Sequence, residues 1–379
     1  MANPALGVLH RLAPAARAAT AEEAAGAVVA LHATDPATVH LSVAARTAGP
    51  GATVAAVDRA LYDDRTLVRV LGMRRTMWAV PCSLVPVVVA ACGRAVAGEE
   101  RRKVIAALEA QGVVDDGARF VARLEEEALA ALVERGEATA RELAHDVPDL
   151  ARTIRLGGAS KWATEVTLAT RVVVTLTAEG RVTRSRPRGS WTSTLLRYVP
   201  VPPLGDPVDP GEGRAQLARR WLAAFGPASA DPGRDLRWWA GWTVGATRKA
   251  LADAGEPSPV AGPGAGADGD GEPWAALLPS LDPTTMGWKE RSWYLGDLGG
   301  ALFDTNGNAG PTIWWSGRIV GGWAQRPGGE VVTRQLVDVG AEGAAAVGAE
   351  AARLQAWLDA GGAVVRPRFP TPLLKELCG

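Results

Sequence analysis

The sequence predicts an α+β protein built from tandem winged-helix units and ending in a small β-barrel or meander. Three observations predict it. Helices followed by a two-stranded hairpin occur over residues 6–80 and again over 120–199. A third helical run spans 214–255, with no evident wing. After a tract made of Gly, Ala, Asp and Pro at 261–271, the pattern changes to strands separated by Gly-containing turns.

The elements follow in order. Residues 6–18 recur at helical spacing, and Thr20 with Glu23 reads as a capping box opening a helix that runs through Leu31. Pro36 restarts the chain after Asp35, helices follow at about 37–45 and 54–62, and 67–71 with 77–80 form a hairpin. In the second unit, 120–135 is amphipathic, 139–144 has a polar cap before apolar residues, and 162–176 is the third helix. Strands at 182–186 and 191–199 flank a turn at 187–189, a wing carrying Arg181, Arg184, Arg186 and Arg188. The third run reads as helices at 215–225, 235–242 and 244–254. The tract at 261–271 buries little surface and reads as a loop or linker. Strands at 311–315, 318–323 and 331–337, a helix at 344–360 and a basic extended tail complete the chain. The expected boundaries are 1–95, 96–205 and 206–260 for the winged units, 261–273 for the linker and 274–379 for the last domain.

Composition narrows the partners. The net charge is zero, which excludes a nonspecific nucleic-acid coat, so any DNA site is a local patch. Five of the 41 basic residues are Lys and the rest Arg, a bias that reads as a GC-rich genome. Cys82, Cys92 and Cys378 lack CxxC spacing, as expected of a reduced cytoplasmic protein. The apolar run at 85–91 contains Pro86 and falls well short of the roughly 20 residues a membrane helix needs. A protein that is monomeric, cytoplasmic and associated with the nucleoid, without a membrane, is expected.

The segment Leu31-His32-Ala33-Thr34-Asp35-Pro36 concentrates functional groups at an expected helix junction. Asp35 has two readings: the N-cap of the helix that Pro36 starts, a role typically contributing about 1 kcal/mol, or a working carboxylate. His32 likewise reads as a hydrogen-bonded, partly buried histidine or as a reacting group. His32 and His40 flank Asp35, but no fourth ligand stands nearby, so no metal and no other cofactor is expected. Trp238, Trp239 and Trp242 recur at helical spacing and read first as core, with base stacking open to whichever is exposed.

This segment resembles the catalytic motif region of the bacterial alkylpurine DNA glycosylases of the AlkZ/YcaQ type, whose members read Gln, an apolar residue, Gln or Asp, and commonly Asp-Pro. His32 and Thr34 stand at the two polar motif positions, which is similar to a variant His-apolar-Ser/Thr-Asp subgroup. Self-resistance members of that subgroup come from producers of bulky guanine-alkylating natural products such as the trioxacarcins. Residues 281–289 (LDPTTMGWK), 303–311 and 317–323 (GRIVGGW) resemble the C-terminal region of the same family. The resemblance covers essentially the whole chain. It implies three winged-helix units and a β-barrel arranged as a C-shaped clamp on double-stranded DNA carrying an alkylated purine.

The chemistry so implied is hydrolysis of the N-glycosidic bond of N7-alkylated guanine, in base excision repair or self-resistance. Asp35 would stabilise the sugar cation and accept a proton from water, His32 would hold that water, and Thr34 would orient it. The motif contains no Lys for a Schiff base, so a monofunctional enzyme is expected. Arg184, Arg186 and Arg188 on the wing, then Arg74 and Arg75 in the first hairpin, are the expected phosphate contacts, the other reading being solvated charged turns. Arg101, Arg102 and Lys103 follow Glu99 and Glu100 and read as a self-neutralised helix start. The rival function is a noncatalytic winged-helix DNA-binding regulator. A third is a set of winged units used for protein contacts.

Overall fold

The computed structural model describes residues 3–158, 163–255 and 272–379. In the first unit the Thr20 hydroxyl accepts the Glu23 amide at 3.2 Å and opens the helix Ala21–Ala27. That helix stops four residues short of the expected end, because Val29 takes a left-handed backbone (φ 66°) and Leu31–His32 forms a strand, β1. His32 therefore sits in a sheet rather than at a helix end. The helix expected over 6–18 is one turn, Leu6–Leu9, since Arg11 is left-handed (φ 59°) and a separate turn starts at Pro14. Strands β2 (Leu67–Leu71) and β3 (Met77–Pro81) form the hairpin, and β1 adds antiparallel to β3, giving the order β1-β3-β2.

Cys82–Ala110 is one helical run. Its first half (Val85, Val87, Val88, Cys92) lies in the core of the first unit, and its second half (Val104, Leu108) lies in the core of the second. By length and composition alone it would suffice to cross a membrane, but 61% of its most apolar window is buried inside the molecule. Arg101, expected at a helix start, lies in mid-helix and binds Glu125 and Glu179.

The second unit holds the helices Gly117–Arg135 and Ala140–Asp146, the latter with a reciprocal Thr139–Glu142 capping box. The helix expected from 162 begins only at Leu168. Thr164–Thr167 instead forms β5, paired with β4 (Thr153–Leu156), as suits its β-branched Thr and Val residues. The wing is reduced to three-residue strands, β6 (Val182–Arg184) and β7 (Tyr198–Pro200). Trp191 has left the expected strand and packs against His40 and Trp357, its indole donating to the Gly361 carbonyl at 3.0 Å.

The third helical run (Pro210–Phe225, Pro232–Ala240, Val244–Ala254) buries Trp221, Phe225 and Trp239 in the core of the first unit. Among the described residues no hairpin follows it, and most of the expected linker, 261–271, lies outside them. Among the described residues the last domain closes no barrel. It is an open antiparallel sheet of β8 (Ala275–Leu278), β9 (Thr312–Trp315), β10 (Arg318–Gln325) and β11 (Val331–Gln335) in the order β11-β10-β9-β8. The end strands do not pair, and the helix Gly340–Gly361 packs across the sheet through Val347, Leu354 and Leu358. The tail is extended only to Pro370 and closes in a helix, Pro372–Cys378.

A buried polar knot joins the first unit to the last domain. Arg46, at the end of the helix Pro36–Arg46, makes a two-pronged ion pair with Asp282 (2.6 and 2.7 Å), and both side chains are fully buried. Ser42 donates to the same carboxylate, and Thr284 meets Arg46 and His10. This gives the 281–289 motif a structural task.

Candidate active site

β1 pairs His32 directly opposite Trp78 of β3, and the two rings lie 4.8 Å apart. His32 is 6% exposed. Burial, helped by the charge of Arg74, lowers its pKa to about 3, so the ring is neutral at physiological pH. Its Nδ1 accepts the Thr34 amide at 3.4 Å, which favours the tautomer carrying the proton on Nε2 and makes Nε2 a donor. The Thr34 hydroxyl is buried and has no partner. Leaving such a group unsatisfied costs on the order of 1–3 kcal/mol, so its place in a functional segment has a physical cost.

Asp35 is the N-cap of the helix Pro36–Arg46, its Oδ1 accepting the Ala37 amide at 3.1 Å. Its Oδ2 accepts the amide of Arg368, from the C-terminal tail, at 3.0 Å. Burial raises its pKa, and the two amides and the Arg368 charge pull it back. The carboxylate borders a narrow cavity with Thr38, Ser280, Pro311 and Trp323. It makes no hydrogen bond with His32: the structure joins His32 to Thr34 and Asp35 to Ala37 and Arg368.

The expected DNA contacts are distributed unevenly. Arg184 is largely buried and donates to the Ala33 carbonyl at 3.5 Å, with burial lowering its pKa to about 10. Arg186 is ion-paired with Asp58 (2.5 Å) and Asp63 (3.0 Å). Arg188 is exposed and has no ion pair or hydrogen bond among the described residues. Arg75 is paired with Glu99, whereas Arg74 has no ion pair and lies over the Trp238 ring. Arg69 joins this basic ring unforeseen, with one guanidinium nitrogen buried and unpartnered. So does Arg368, for which the basic composition of the tail was the only signal. Arg184 feels the charges of both.

His40, the second histidine near Asp35, is committed to Asp58 at 2.9 Å. Among the described residues no cluster of three His, Cys, Asp or Glu is placed to hold a metal. Trp239 is buried in the core, Trp242 donates to the Ala91 carbonyl, and Trp238 is half-buried.

A neutral imidazole and a free hydroxyl near Arg69, Arg74, Arg184 and Arg368, which have no carboxylate partner among the described residues, are suited to work on a polyanion. The family described as DNA glycosylase AlkZ-like matches residues 25–357, and the chain belongs to it. It is thus a DNA glycosylase, a hydrolase of N-glycosyl bonds. Among solved structures, the DNA glycosylase AlkZ of Streptomyces sahachiroi has the same fold, with a TM-score of 0.70 at 20% identity over 96% of this chain and 97% of that one. No curated protein matches the sequence.

Proposed function

We propose that this enzyme excises N7-alkylated guanine, bulky adducts included, from double-stranded DNA as a monofunctional, monomeric glycosylase of the cytoplasm. The observation that carries the reading is the pair His32 and Thr34: a neutral ring with a free Nε2–H beside an unpartnered buried hydroxyl. Nε2–H holds the oxygen of the attacking water and Thr34 Oγ1 accepts one of its protons, which aims a lone pair at C1′ of the sugar. Alkylation at N7 makes the base cationic, so it departs with the bonding electrons and needs no acid. The oxocarbenium ion is captured by a positioned water without a strong base, and the surplus proton leaves with solvent. Asp35 is a positioning residue that fixes the turn after His32 and adds a fixed negative charge behind it. Arg184 and Arg188 hold DNA phosphates, whose charge offsets the basic ring around a cationic transition state.

The test is incubation with a duplex carrying one N7-methylguanine and a second carrying a bulky N7 adduct, with mass spectrometry of the released base. Release by the wild type and a loss of about 10²–10³ in rate for His32→Ala are expected. A wild type that frees neither base overturns the reading.

A further inference from the structure

We propose that Arg74 and Arg291, both stacked on the indole of Trp238, form a phosphodiester clamp that holds the DNA strand beside His32. The two arginines are far apart in sequence and come from the first unit and the last domain. Arg74 is at the tip of the β2–β3 hairpin, and Arg291 follows the LDPTTMGWK segment. Their guanidinium carbons lie 4.2 and 4.9 Å from the centre of the Trp238 ring, and Arg291 also lies 4.7 Å from the centre of Phe303.

Among the described residues neither guanidinium has a carboxylate partner. Arg291 is fixed by the Trp288 and Gly307 carbonyls (3.3 and 3.2 Å) and by the Met286 sulfur (3.7 Å), and the Arg74 side chain makes no hydrogen bond among the described residues. Two desolvated like charges side by side cost free energy in the free protein, which a bound anion recovers. The fold maintains this arrangement at a second cost. Arg74 and Arg75 are consecutive left-handed residues (φ 53° and 56°), a conformation that a side chain disfavours. Gly241 admits the tip, since a Cβ there would stand 3.2 Å from the Arg74 backbone. Trp78 then pins the tip by donating to the Met73 carbonyl at 3.0 Å. Trp78 also carries the His32 ring, so the clamp and the imidazole share one support. With its ring covered by cations, Trp238 is not a platform for a base. The planar forks match a phosphate, and the clamp rests on the reading of His32 as the reacting centre.

The test is Arg74→Gly. Glycine relieves the left-handed backbone, so the variant melts at or above the wild-type temperature, and any binding defect is not one of folding. Fluorescence anisotropy on a duplex holding a tetrahydrofuran abasic analogue, from 50 to 200 mM salt, reads binding apart from chemistry. The expected result is roughly tenfold weaker binding and a log–log salt slope reduced by about one, with Arg74→Lys retaining the slope. Arg291→Gln reduces it likewise. Folded Arg74→Gly and Arg291→Gln proteins with wild-type affinity and slope overturn the clamp. If the slope falls while the wild type frees no alkylated base, the clamp stands and the excision reading falls. If base is freed and the slope is unchanged, the reverse holds.

Discussion

Three histidines are kept neutral by burial: His10, with a pKa lowered to about 4, His32, lowered to about 3, and His40, lowered despite its contact with Asp58. Unfolding lets each take up a proton near pH 6.5. Their contribution is complete above that pH and is lost as the pH falls toward the folded values. At pH 5, His10 and His32 each cost about 2 kcal/mol relative to neutral pH. The urea midpoint is therefore expected to fall clearly between pH 7.5 and 5, and equal midpoints would contradict the buried neutral state. Asp35 separates by substitution. Asn keeps the Ala37 cap but turns an NH2 toward the Arg368 amide that Oδ2 accepts, so Asp35→Asn should cost about 1–3 kcal/mol, and Asp35→Ala, which loses both acceptors, should lower the melting temperature further. Caps of this kind were legible in the sequence because they are local, as at Thr20, Asp35 and Thr139. The Arg368 amide on Asp35 was not, because 333 residues separate the two partners.

At the scale of elements, the hairpin, the capped helices and the strands β9 to β11 of the last domain are readable from periodicity and turn residues, whereas β8, a short apolar run without alternation, is not. Elsewhere tertiary pairing overrides local pattern. β1 continues the helical pattern before it because its two residues show no period of their own, and its pairing partners, Ala79 and Trp78, lie far along the chain. The barrel failed because strand order does not reveal whether edges close. The run Cys82–Ala110 is hidden in the sequence because Pro86 marks a break, yet Pro falls in the first turn of Val85–Val88 and is tolerated there. Gly93 within this run meets the next unit closely: a Cβ there would lie 2.1 Å from the Ala178 carbonyl oxygen. Gly93→Ala should cost about 1–3 kcal/mol as the contact with the helix Leu168–Ala178 is forced apart, and a chemical denaturation curve checks it.

Across the whole molecule, the Arg46–Asp282 pair ties the helix capped by Asp35 to the last domain. Removing one partner leaves a buried charge, so Asp282→Ala should destabilise by about 3–5 kcal/mol, measured by denaturant titration. Replacing both residues by apolar ones of similar volume should cost less. A motif that resembled a family signature thus has a mechanical reason to exist here.

The helix that belongs to two cores carries a last consequence. A beam shared by two bodies leaves them no hinge, so the protein cannot fit itself to a straight duplex by bending between them. The strain of docking falls on the DNA, and lesions that soften the duplex are easier to seat. A duplex with a flexible mismatch beside the damaged guanine should be cleared faster than a fully paired one, and the ratio of the two rates reads the stiffness of the grip.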